Sequence, residues 1–235
     1  PSGSAVAGAQ FIYKSNLVVP TRWSKPATVA EIIRKARPVT SQPVERVEET
    51  SLIRSHPIRR KGDMVLVAGT MDTKSRELLF LRDILRKQGL TVRTVDLSTR
   101  KTHAIADFPA HEIAASGHRM RELGHDRGQS VELMAEAFRK WVSRRNDIAG
   151  LISAGGSGGT SLVTPAMREL PLGIPKAMIS TVASGDTAPY VAGSDILMLS
   201  AVADIQGLNQ ITRKVLANGA NALAGMVQEN ERHSE

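Results

Sequence analysis

The sequence contains no cysteine, which excludes a disulfide framework, a thiolate nucleophile and any metal centre with cysteine ligands. The same absence agrees with a reducing compartment, and a cytoplasmic location is the expectation drawn from it. Aromatic residues make up only 3% of the chain, too few for the stacking platforms of single-strand nucleic-acid binders. No run of about 18 apolar residues occurs, so no membrane-spanning helix is expected. Nor does the apolar core of a signal peptide stand near the first residue.

What is present is a chain of 235 residues and 25.3 kDa, enough for one large or two small domains with a sizeable core. The formal net charge of +8 resembles that of a nucleic-acid binder, but its distribution argues against one. Residues 1–63 hold 11 Lys and Arg against 5 Asp and Glu, and the remainder holds 20 against 18. Pro20, Pro26, Pro38, Pro43 and Pro57 interrupt every periodic pattern in that first segment. Its one helix signal is the capping box Thr28 to Glu31, and that helix must stop before Pro38. Residues 1–63 are therefore read as a basic, Pro-rich extension, disordered or irregular. A targeting peptide and a natural start at Met64 are two further readings of the same segment.

From Met64 the pattern turns regular. Met64 to Ala68 is a continuous apolar run, as in a strand covered on both faces, and Leu78, Leu81, Ile84 and Leu85 follow at helical spacing with Gly89 as a helix C′ residue. Thr91 to Asp96 reads as the next strand, and Asp96 at its end suits either a ribose hydroxyl acceptor or a loop cap. His103, His111, His118 and His125 lack the spacing of a metal site and read as loop residues. Val131, Met134, Ala135, Phe138 and Val142 mark a second helix. Further strands are expected at 148–154, 176–181 and 195–200, with a short helix around 164–170 and a last helix through Leu208, Ile211, Val215, Ala222 and Met226. Residues 227–235 read as a polar tail. Alternating strands and helices imply an α/β fold with a doubly wound, mostly parallel, Rossmann-like sheet over 64–226.

In such a sheet, loops after the strands share one rim, and ligands bind there. The strongest chemical signal is Gly155-Gly156-Ser157-Gly158-Gly159-Thr160, expected as a turn between strand and helix. Glycines let backbone N–H groups approach a phosphate, and the following helix aims its positive end at the same place. The spacing matches neither a dinucleotide fingerprint nor a P-loop, and a plain tight turn is the structural alternative. A second loop, Gly69 to Lys74, supplies Thr70, Asp72, Thr73 and Lys74. Lys74 suits phosphate charge, and Asp72 suits a magnesium ion held through water. Asp72 or Thr73 suits an ordinary N-cap equally well. A third loop, Ser180 to Asp186, adds Ser180, Thr181, Ser184 and Gly185. Ser157 is read neither as part of a Gly-x-Ser-x-Gly elbow, since glycines fill the places between it and Gly155 and Gly159, nor as a nucleophile, because no histidine or acid is placed to complete a triad.

The segments GTMDTKSREL (69–78), GGSGGTSLVTPAMRELPLGIPKAMISTVASGD (155–186), SDILMLSAVADIQGLNQITRKVLANGA (194–220) and AGM (224–226) resemble the ATP-binding domain family of the tobamovirus-resistance (Tm) protein, most of which forms an uncharacterised protein family. The resemblance covers residues 64–226 and implies the N-terminal Rossmann-like half of such a protein. It also implies ATP and magnesium as ligands and a homo-oligomer, commonly a dimer. Gly69 to Lys74, Gly155 to Thr160 and Ser180 to Asp186 carry over as site elements, and no catalytic residue does. Family members continue past the equivalent of Met226 into a second Rossmann-like half. A chain ending here is therefore expected to need a partner chain that supplies it, or to pair with a second copy.

The expectation is an ATP-binding domain that holds nucleotide phosphates on Gly-rich strand-to-helix loops. The alternatives are a truncated, non-catalytic interaction module, a basic-tailed RNA-binding protein, and an enzyme acting on another phosphorylated or acyl substrate.

Overall fold

The computed structural model describes residues 62–100, 105–117, 127–202 and 204–232. The extension expected over 1–63 lies outside the described residues except for its last two positions, and His103, His118 and His125 lie outside them too.

Five strands form one sheet: β1 (Met64–Gly69), β2 (Thr91–Asp96), β3 (Ile148–Gly155), β4 (Lys176–Ser180) and β5 (Leu197–Ser200). Their order is β2-β1-β3-β4-β5, and every pairing is parallel. Six helices accompany them: α1 (Met71–Lys87), α2 (Ala110–Ala114), α3 (Arg127–Ser143), α4 (Ser157–Glu169), α5 (Ala188–Val191) and α6 (Gln210–Arg232). The expected α/β, doubly wound sheet is thus the fold.

Alternation along the strands divides the interior in two. Leu66, Ala68, Leu151 and Met178 face α3 and α4, where Phe138, Trp141, Leu162 and Met167 meet them. Val65, Val67, Ile152 and Ile179 face the other way, onto Leu78, Leu81 and Leu85 of α1 and Leu216, Leu223 and Val227 of α6. Burying a leucine contributes roughly 1.5–3 kcal/mol, so the α1 stripe is what fixes that helix to the sheet. β1 and β4 are buried at every position, as strands covered on both faces must be, whereas the edge strand β2 exposes Thr91 and Arg93.

Several boundaries differ from the sequence reading. α4 begins at Ser157, so the glycine stretch forms its first turn instead of a loop ahead of a short helix at 164. α6 runs to Arg232, past Met226, because Val227 is 2% exposed and belongs to the core. Lys176, expected only as the start of a strand, has a fully buried side chain. Its ammonium donates to the Pro171 and Ile174 carbonyls, each at 2.9 Å, and to the Asp195 carboxylate, which also accepts Gly173 N–H at 2.7 Å. The pair pins the turn between α4 and β4 against the start of β5.

Gly89 ends α1 as expected. Its φ is +84°, and Leu90 N–H reaches back to the Leu85 carbonyl at 3.3 Å, the reverse turn that closes a helix in the left-handed region. Gly89→Ala is expected to lower stability by roughly 1–2 kcal/mol, the left-handed penalty for a residue with a Cβ, as read from a urea midpoint with unchanged slope.

Three carboxylates away from the rim set the acid limit. Burial raises the Asp107 carboxyl, but Thr94 N–H, the Thr94 hydroxyl and Arg93 outweigh it and hold the group below its ordinary value. Asp195 is likewise raised by burial and lowered further by Lys176 and Gly173 N–H. Arg139 draws Glu136 down to about 2. Each folded-state value lies below the unfolded one, so this stability is complete above the unfolded values near 4 and is lost as the pH falls through the folded ones. Denaturant stability is expected to be level between pH 5 and 7 as far as these groups determine it, and to fall steadily below about pH 4. Asp107→Asn should flatten part of that fall.

Candidate functional site

The strand register aligns the carboxyl ends on one rim: Gly69 lies beside Asp96, Gly155 beside Ser180, and Ser180 beside Ser200. The three sequence-predicted loops leave from this rim. In the observed order the chain passes from β1 to β2 on one side, while β3 lies on the other. The strand order therefore reverses between β1 and β3, where a parallel sheet opens its ligand crevice. The Gly69–Lys74 and Gly155–Thr160 segments flank that point.

At the β3 turn Gly156 is the extended N-cap residue of α4, with φ −84° and ψ −163°, and no side chain caps the helix. The first helical bond runs from Thr160 N–H to the Gly156 carbonyl at 2.9 Å. The N–H groups of Gly156, Ser157, Gly158 and Gly159 consequently have no partner among the described residues, as geometry requires of an uncapped helix start. Thr160 is a correction to the sequence reading: its N–H is engaged, and its buried hydroxyl bonds the Gly156 carbonyl at 2.9 Å and the Ser180 hydroxyl at 2.6 Å. Ser180 is equally spent, fully buried and also accepting Val182 N–H at 3.2 Å. These two residues weld the first turn of α4 to the end of β4.

The glycines divide by the reason for each. A Cβ on Gly69 would stand 2.9 Å from Leu78 Cδ1, and one on Gly155 would stand 3.3 Å from Gly159 Cα, so packing explains both. A Cβ on Gly156 would meet only Thr181 Oγ1, at 3.6 Å. At Gly158 and Gly159 nothing lies within 4 Å and φ is not positive. Nothing among the described residues requires a glycine at either position, although each weakens the helix relative to alanine. Residues 155–159 do match the Gly-x-Ser-x-Gly spacing of a nucleophile elbow, which corrects the sequence reading that denied Ser157 this motif. Ser157 lacks the elbow's positive φ, and its exposed hydroxyl makes no hydrogen bond among the described residues, so no base activates it.

In the first loop Thr70 is the N-cap residue of α1, and its hydroxyl pairs with that of Thr73 at 2.8 Å. Asp72 is exposed and lies 3.2 Å from the Ser98 hydroxyl, which accepts Asp72 N–H at 2.9 Å. Asp96 proves to be the loop cap of its two readings: it is 1% exposed and accepts Met71 N–H at 3.2 Å and Ser98 N–H at 2.9 Å. Lys74 interrupts the helical backbone of α1 (φ −127°, ψ 20°), and its ammonium donates to the Ile205 carbonyl across the rim. That contact, between residues far apart in the chain, had no signal in the sequence. In the third loop Thr181 is half-buried, while Ser184 and Gly185 are exposed. Among the described residues no group of three or more His, Asp or Glu is arranged to hold a metal ion, and no helix is long and apolar enough to cross a membrane.

Residues 63–232 match the family model described as Uncharacterised protein family (UPF0261) N-terminal domain. The chain is similar to a UPF0261 protein of Mesorhizobium japonicum, with 50% identity over 165 residues that make up 69% of this chain and 42% of that protein. It is also similar to a UPF0261 protein of Clostridium tetani, with 42% identity over 171 residues covering 70% of this chain and 42% of that one. The tomato ToMV resistance protein Tm-1(GCR237) is 40% identical over 186 residues, which are 69% of this chain and 24% of that protein. The chain therefore spans less than half the length of these relatives.

Proposed function

The chain belongs to the UPF0261 family, and on that footing we propose that it binds the phosphates of a nucleotide, ATP with magnesium, on the turn that follows β3. The observation that carries the proposal is the pair Gly158 and Gly159, where a side chain would meet nothing in the protein. A glycine that weakens its helix, beside open backbone N–H groups, suits a ligand that approaches the backbone closely. The helix dipole favours an anion at this point, and the strand order supports it by setting the turn at the reversal point of the sheet.

Lys74 donates one of its three N–H groups to the Ile205 carbonyl, and the other two would serve phosphate oxygens. The donor set fits magnesium, which keeps most of its water and takes phosphate oxygens in preference to an all-protein cage. Asp72 and the hydroxyls of Thr70 and Thr73 would hold that hydrated ion through water. Binding as a pair of copies, or together with a second Rossmann-like half, is the form the family resemblance implies. Calorimetric titration of the chain with magnesium-ATP is expected to give saturable binding that weakens when EDTA removes the metal. A folded chain that takes up no ATP would remove this reading.

A further inference from the structure

Beside the glycine turn, on the β4–β5 side, lies an open recess of about 320 Å³ lined by Thr181, Ser184, Ser200, Val202 and Asp204. It adjoins the phosphate turn through Thr181, whose hydroxyl stands 3.6 Å from where a Gly156 Cβ would be. Its wall is unusual in two ways. Three hydroxyls and one carboxylate converge on it, and the Asp204 carboxylate has no hydrogen bond or ion pair among the described residues. Val202, a β-branched residue, sits at φ +63° with 77% of its surface exposed, a conformation that costs about 1–3 kcal/mol and persists only where its surroundings impose it.

The surroundings do impose it. On one side Ala201 N–H bonds the Ser180 carbonyl at 3.0 Å. On the other, Ile205 is buried, its carbonyl is held by Lys74, and the buried Glu77 carboxylate takes Gly207 N–H at 2.7 Å. Val202 therefore follows one fixed point and Asp204 precedes another, which two charged side chains of α1, Lys74 and Glu77, hold in place. Strained backbone kept in place around a polar hollow marks a ligand contact.

We propose that this recess seats the hydroxyl-bearing part of the phosphorylated ligand, a ribose diol in a nucleotide, and that Asp204 accepts its hydroxyls and sets specificity. The inference rests on the phosphate reading above. It also reassigns the acidic residue that a nucleotide-binding sheet offers to ribose. Asp96, the candidate by sequence position, is buried, and its Oδ1 is taken by Met71 N–H, Ser98 N–H and the Ser98 hydroxyl, whereas Asp204 is exposed and its carboxylate has no partner among the described residues.

The test compares ATP, 2′,3′-dideoxy-ATP and inorganic tripolyphosphate, each with magnesium, on the full chain and its Asp204→Ala and Asp204→Asn variants, with melting curves to establish folding. The wild type is expected to favour ATP over the dideoxy analogue by about tenfold, the worth of hydrogen bonds to a charged acceptor, and both variants are expected to bring the ratio close to one. A wild type that binds tripolyphosphate but does not distinguish the two nucleotides overturns this inference and leaves the phosphate site standing. So does a ratio that survives in folded variants. Failure to bind any of the three overturns both readings together.

Discussion

Gly158→Val should reduce magnesium-ATP affinity by roughly a hundredfold, about 2.7 kcal/mol, while the chain stays folded. Two effects that usually travel together come apart at this position. Outside the glycine's own turn of helix nothing lies within 4 Å of an added Cβ, so a methyl there meets no other part of the described protein. Gly158→Ala should even raise stability, by up to about 0.5–1 kcal/mol, because alanine loses less backbone entropy than glycine in a helix. A phosphate resting on the N–H groups of Gly156 to Gly159 would, however, meet the new methyl, and affinity is expected to fall by about tenfold for alanine and further for valine. Stability and binding thus move in opposite directions. Should Gly158→Ala gain stability and keep full affinity in the calorimeter, the glycines serve the turn alone.

The second large effect concerns stability. Lys176→Met keeps most of the volume of the buried stem but removes the ammonium. It leaves the Pro171 and Ile174 carbonyls and the Asp195 carboxylate without their shared donor. Removing one partner of a buried, hydrogen-bonded pair costs more than the pair contributes, because the remaining groups stay desolvated. Asp195 is 40% exposed and can recover water, so the expected loss is about 2–4 kcal/mol and not the larger figure for a fully enclosed pair. Lys176→Met together with Asp195→Asn should recover part of it. Burial holds the Lys176 ammonium below its ordinary value, partly offset by Asp195, which marks the site as costly to build and dependent on its three acceptors. A chemical-denaturation midpoint unchanged by Lys176→Met would show that the network contributes nothing net.

Which features were legible before any fold was known follows from where the information lies. The apolar run Met64 to Ala68 could only be a strand covered on both faces, and the stripe Leu78, Leu81 and Leu85 could only be one side of a helix. Period and composition are local properties, and both readings held. Gly89 was equally legible, because the left-handed close of a helix is a single-residue demand. The glycine turn was found but misjudged in extent: Ser157 to Thr160 are helical, since φ and ψ of glycine are unconstrained by its own chemistry and the neighbouring strand end decides them. Ser180 and Thr160 looked like ligand groups from their hydroxyls. They face each other across 2.6 Å of buried space, and only the pairing of β3 with β4 brings them together.

The sequence by itself determined the class of fold, the alternation that makes its sheet parallel, and the rim on which its polar loops must lie, because these follow from periodicity and from the handedness of β–α–β connections. The tertiary structure alone decided which polar groups on that rim are free. Asp96, Thr160 and Ser180 are occupied, and Lys74 is lent to Ile205. Gly158, Gly159 and Asp204 face open space. Occupancy of a hydrogen-bonding group depends on what a distant segment places within about 3 Å of it, and no local pattern in a chain carries that information.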